Sequence, residues 1–162
     1  MRAVVHRVLR VVLAAALAGS VVVQAVILPL VWADLDGAPT HLRTSLVTIA
    51  ALWIVALQVV GVCVWRLLTM VGRGTVFSSS AFRFVDVIIG AVAAASLLTF
   101  VLGMVLAPGE EVAPGVVLLV GGAGVVVAGV ALLVYVLRTL LAQAVALDTR
   151  AQRLQAELDE VI

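Results

Sequence analysis

Four stretches of this chain each run for about 20 residues or more with almost no charge, the length at which a helix crosses the ~30 Å hydrocarbon core of a bilayer. They occupy residues 11–32, 45–65, 84–107 and 116–137. None shows the strict alternation of a barrel strand, and hydrocarbon forces backbone groups to bond within the segment, so each run reads as a helix. Composition agrees. The chain is 65% hydrophobic and 12% charged over 162 residues, against about 45–50% apolar and about 25% charged in a soluble domain. We therefore expect an all-α integral membrane protein, a four-helix bundle in one membrane domain over 1–162, with 138–162 as a helical tail.

The arginines set the expected orientation. Arg2, Arg7 and Arg10 precede the first run, Arg66, Arg73 and Arg83 separate the second from the third, and Arg138, Arg150 and Arg153 follow the fourth. Arg43 alone falls on the other side, beside Asp34, Asp36, Glu110 and Glu111. The positive-inside rule then places both termini and the 66–83 loop in the cytoplasm. The first run continues well past the ~7–15 residues of a signal-peptide core, so we expect it to be retained. Trp32, Trp65 and Tyr135 fall at run ends, suited to the headgroup level. Trp53 is mid-run and is expected between helices. The lone Cys63 is expected as a buried structural thiol.

Helices in lipid associate through close packing and a few polar contacts. Small residues four apart mark candidate contact faces at Ala15 and Gly19, Gly90 and Ala94, and Gly124 and Ala128. Gln24 and Gln58 are the amides inside the runs. Counted from the inner ends of the runs, they lie at about 20 Å and about 10 Å. That difference predicts that they do not bond each other, and it pairs Gln24 with Ser96 and Gln58 with Ser20.

The segment GRGTVFSSSAF at 72–82 is the least apolar piece between the second and third runs. It lacks the Lys-Ser or Lys-Thr of a P-loop and the strand–turn–helix setting of a dinucleotide fingerprint, so no cofactor is expected there. Gly72 and Gly74 are suited to ending one helix, and the serines 78–80 to capping the next. Asp86 falls in the first turn of that next helix, where the dipole favours a carboxylate. Arg83, three residues earlier, is its expected partner.

Beyond 137 the chain becomes water-compatible. Leu140, Ala144, Leu147, Ala151, Leu154, Leu158 and Val161 alternate in steps of four and three, a heptad seam of about three repeats. Arg153 and Glu157 are four apart on another face. The tail reads either as a continuation of the fourth helix packed on protein or membrane, or as a surface for self-association or a soluble partner.

The loop TVFSSSAFRFVDVIIG and the closing ELDEVI resemble the short signatures of a bacterial four-span membrane family designated domain of unknown function 2975. Gly74, Phe77, Ser78, Phe82, Arg83 and Gly90 carry the resemblance in the loop, and Glu157, Leu158, Asp159 and Val161 carry it at the end. It implies a four-span layout over essentially the whole chain and a regulatory role beside a small helix-turn-helix protein.

Enzyme chemistry is not expected. His6 and His41 fall on opposite sides of the membrane, and the serines and threonines have no His–acid constellation. The acidic loops could hold an external cation only if Asp34, Asp36, His41, Glu110 and Glu111 converged; no metal site is expected. A net charge of +1 gives no basic surface for direct nucleic-acid binding. Two readings remain. One is a non-enzymatic sensing or regulatory protein acting through the loop and tail. The other is a small oligomeric transporter or channel lined by Gln24, Gln58 and Asp86. The expected partners are the bilayer itself, further copies of the chain, and the regulator implied by the resemblance.

Overall fold

A computed structural model describes residues 2–72, 79–108 and 112–161. Among the described residues it is all helix: α1 (Arg2–Val22), a π-helical turn (Val23–Ile27), α2 (Leu28–Asp34), α3 (Thr40–Gly72), α4 (Ser79–Leu106) and α5 (Pro114–Val161). Within the described residues four helical segments are long and apolar enough to cross a membrane, the first formed by α1, the π turn and α2 together. Their length and composition mark the chain as a multi-pass membrane protein.

The π turn has a local cause. Pro29 stands at the start of α2, with no N–H to give, and its ring would clash with the carbonyl four residues back in a regular α-turn. Widening the turn relieves that clash: the Leu28 N–H bonds Val23 O, five residues back, instead of closing an α-turn. The chain continues as α2 and then reverses through 35–39 into α3.

α3 and α4 are the central pair. α1 and α2 lean on α3, and α5 packs along α4. Apart from Ile49 on α3, the most buried side chains are small or polar: Cys63 on α3, Ala95, Ser96 and Thr99 on α4, and Ala131 on α5. Large aliphatics point outward, with Leu118 78% and Leu97 66% exposed. This inverts the pattern of a water-soluble core and suits a hydrocarbon solvent, where close backbone approach holds helices together.

Small residues make that approach at specific places. A Cβ on Gly61 would stand 3.0 Å from Leu17 Cδ2, and one on Gly124 would meet the Phe100 ring at 3.3 Å. Two of the expected small-residue faces behave differently. Ala15 and Gly19, and Gly90 and Ala94, are exposed, and added Cβ atoms on Gly19 and Gly90 would meet nothing within 4 Å. Spacing of small residues locates a permissive face, but which face is used depends on the helix that packs there.

Candidate functional site

The seam between α1 and α3 is polar at its centre. Gln58 Nε2 donates to Gln24 Oε1 at 3.0 Å and to Ser20 Oγ at 3.1 Å. Ser20 Oγ in turn donates to Leu17 O at 2.7 Å, and Gln24 Nε2 reaches Ala51 O at 3.4 Å. The Ser20–Gln58 pairing is as expected from depth. The Gln24–Gln58 bond is not, and it corrects the expectation that these amides lie too far apart. Counting from run ends assumed that residues 11 and 65 share a plane. The contacts of Leu17 with Gly61 and Ser20 with Gln58 instead place residue 54 opposite Gln24. Gln58 is then four residues away along the axis, about 6 Å, a gap that two glutamine side chains span. Gln24 also lies in the π turn.

Ser96 does not pair with Gln24. It faces the opposite neighbour and donates to Gly124 O on α5 at 2.9 Å. Trp53 lies between helices as expected, and its Nε1–H donates to Thr99 Oγ1 at 3.1 Å. Thr99 passes its own proton to Ala95 O at 2.8 Å. The polar atoms inside the bundle are thus bonded across the α1–α3, α3–α4 and α4–α5 seams.

α2 and α5 do not close over the α3–α4 pair. Between them lies a cleft of about 680 Å³, lined among others by Leu28, Leu46, Ala50, Trp53, Val120 and Ala123. Asp34 and Leu35 stand at its α2 end. Nearby, Arg43 holds its guanidinium 4.1 Å from the centre of the Trp32 ring and pairs with Asp36 at 2.6 Å. No group of three or more His, Cys, Asp or Glu able to hold a metal occurs among the described residues. Glu110 and Glu111, part of the acidic set considered above, lie outside them.

At the other end of the bundle Asp86 is paired, but not with Arg83. Arg138 Nη2 donates to Asp86 Oδ2 at 2.8 Å, and its Nε stands 2.6 Å from Oδ1. The Arg138 guanidinium also lies 5.8 Å from the Phe82 ring centre. The expected Arg83 partnership fails because α4 turns Asp86 toward α5, whereas Arg83 points into the surroundings and is exposed. The pair therefore joins α4 to the point where α5 leaves its apolar stretch. Of the loop residues singled out in the sequence, Gly74, Phe77 and Ser78 lie outside the described residues.

From Arg138 onward α5 continues without a break to Val161. Leu140, Leu147, Leu154 and Leu158 are 55–65% exposed, so the seam is uncovered by the other described residues; the Val161 side chain lies outside the described set. The side-chain bond four residues apart on the tail runs from Gln152 to Asp148 at 3.1 Å, rather than between Arg153 and Glu157.

The family described as protein of unknown function (DUF2975) matches residues 30–162 of this sequence. The chain belongs to that family. The match takes in the cleft lining from Val31 onward, Gln58, the Asp86–Arg138 pair and the tail, and begins after Gln24 and Leu28. No curated protein and no solved structure matches the chain.

Proposed function

We propose that this DUF2975 member is a non-enzymatic sensing or regulatory protein of the bacterial cytoplasmic membrane, with both termini inside, whose output element is the tail of α5. The observation that carries the proposal is the continuity of α5. Its 48 residues span about 72 Å at 1.5 Å per residue, more than twice the ~30 Å hydrocarbon core. One end forms a wall of the apolar cleft, and the other presents an uncovered leucine seam. A helix of that length carries a displacement or rotation at the cleft to the seam, and the Asp86–Arg138 pair is the contact that would have to slide or break. The docked partner is a small helix-turn-helix regulator, as the family resemblance implies, with self-association of the seam as the competing use.

The transport alternative draws little from the geometry. Gln24 and Gln58 are bonded to each other, Asp86 is paired with Arg138, and none of the three lines the 680 Å³ cleft. The test is affinity capture of the detergent-solubilised protein from its host, comparing the full chain with one ending at Thr139. Recovery of a helix-turn-helix protein with the full chain alone is the expected result. Recovery of the same proteins with both chains would overturn the role of the tail.

A further inference from the structure

The leucine seam of the tail does not stop where the tail begins. It continues backward into the apolar stretch of α5 in the same register, with Leu137, Leu133, Val130 and Val126 preceding Leu140 in steps of three and four. These four and the four tail leucines are 46–67% exposed. Arg138, which turns to Asp86 on α4, lies on another face. One flank of the seam is kept bare. Gly115, Gly122 and Gly129 recur at every seventh residue, at the position beside the core of a coiled coil (g). Cβ atoms added there would meet nothing within 4 Å, unlike Gly124, which seats the Phe100 ring. Packing on α4 therefore does not account for these glycines. Gly129 instead opens a shallow groove lined wholly by α5 residues, among them Val126, Val130 and Leu133. In hydrocarbon a bare groove of this kind admits the backbone of a second helix.

The two halves of this face narrow the choice of occupant. Lipid can cover 126–137, but not leucines that stand in water. A soluble protein can cover 140–158, but not glycines in hydrocarbon. Lipid on one half and a protein on the other would leave the shared register without a cause, since a 3.5-residue period is kept only where helices supercoil. The occupant is a helix that passes from hydrocarbon into water alongside α5, and a second α5 is such a helix. Two copies cross the bilayer in the same direction, so their tails run parallel. In a parallel pair each g residue faces the e residue of the partner's next heptad. Gln143 then meets Asp148 of the second copy, and Arg150 meets its Gln155. Both are donor–acceptor pairs, and no like charges face each other. Ala144 and Ala151 in the core let the two axes approach and are too small to fill the wider core of three or four strands. A strip about 48 Å long and about 10 Å wide on each copy buries on the order of 1,000 Å² in total, the threshold of a specific interface.

We propose that α5 is the interface of a parallel homodimer, paired with α5 of a second copy from residue 122 in the membrane to residue 158 in the tail. The seam is thereby given to self-association. A regulator, where one docks, meets the outer faces of the paired tails, at Gln152 and Arg153. The pairing does not depend on that regulator, and purified protein reads it alone.

Disulfide cross-linking of the full chain in lipid vesicles, on a Cys63→Ala background, tests this. Identical positions in two copies come within disulfide reach only near the dimer axis. Leu133→Cys and Leu154→Cys lie about 32 Å apart along α5, so both variants cross-link to themselves only in a parallel pair. Each should form covalent dimer about fivefold or more over Tyr135→Cys and Ala156→Cys, which are exposed on the far side of the heptad. Gly129→Leu fills the groove where the single chain has no neighbour, and should lower cross-linking of Leu133→Cys about fivefold or more. Gly122→Leu does the same one heptad earlier and covers the case in which the first variant misfolds. Equal cross-linking at seam and control positions overturns the dimer. Cross-linking at 154 without 133 confines association to the tail and overturns the continuous interface, and with it the proposal. Unchanged cross-linking in both glycine variants does so as well.

Discussion

Replacing Gln58 by leucine is the sharpest perturbation of the α1–α3 seam. The substitution keeps side-chain bulk and removes two interhelical bonds, those to Gln24 Oε1 at 3.0 Å and to Ser20 Oγ at 3.1 Å. Interhelical bonds in membranes contribute about 0.6–2 kcal/mol each, so the expected loss for the two is about 1–4 kcal/mol. The two acceptors fare differently. Ser20 still donates to Leu17 O, whereas Gln24 Oε1 loses the donor that satisfied it. Stranding a polar group in an apolar site costs more than removing both partners. Gln24→Leu in the Gln58→Leu background should therefore restore stability or leave it unchanged, although Gln24→Leu alone destabilises. Reversible unfolding in mixed micelles, with the four chains compared as a double-mutant cycle, reads this directly. The expected coupling is about 0.5–2 kcal/mol, and additivity within about 0.3 kcal/mol would refute the direct amide bond.

Three further outcomes are expected. Asp86→Asn and Arg138→Gln should each cost about 0.5–1 kcal/mol, because the pair is partly exposed and screened; Arg83→Gln should cost less, and unfolding of the charge-swapped Asp86→Arg/Arg138→Asp chain should show partial recovery. Gly61→Val should destabilise by about 1–3 kcal/mol through overpacking against Leu17, whose Cδ2 already stands 3.0 Å from the Cβ position, whereas Gly90→Ala should fall within about 0.5 kcal/mol of the parent. Leu147→Ser should leave monomer unfolding unchanged, since Leu147 is 65% exposed, and should weaken partner capture if the seam is the docking surface; strong destabilisation of the monomer would show that the seam packs within the chain.

The sequence alone determined the class of fold, because that information is local. A run of about 20 apolar residues leaves backbone groups no partner except those within the same helix, so residues 11–32, 45–65, 84–107 and 116–137 each specify a helix without reference to the others. The water-compatible seam from Leu140 to Leu158 was legible for the same reason, as were the place of Trp53 between helices and the burial of Cys63. Tertiary structure alone decided the contacts, because they depend on register and rotation between helices. A shift of about two residues between α1 and α3, set by Leu17 on Gly61, brought Gln24 to Gln58. The rotation of α4 gave Asp86 to Arg138 instead of Arg83, and Ser96 to Gly124 instead of Gln24. The cleft had no local signal at all, since Leu28, Ala50, Trp53 and Ala123 are ordinary residues of apolar helices until α2 and α5 stand apart over the α3–α4 pair.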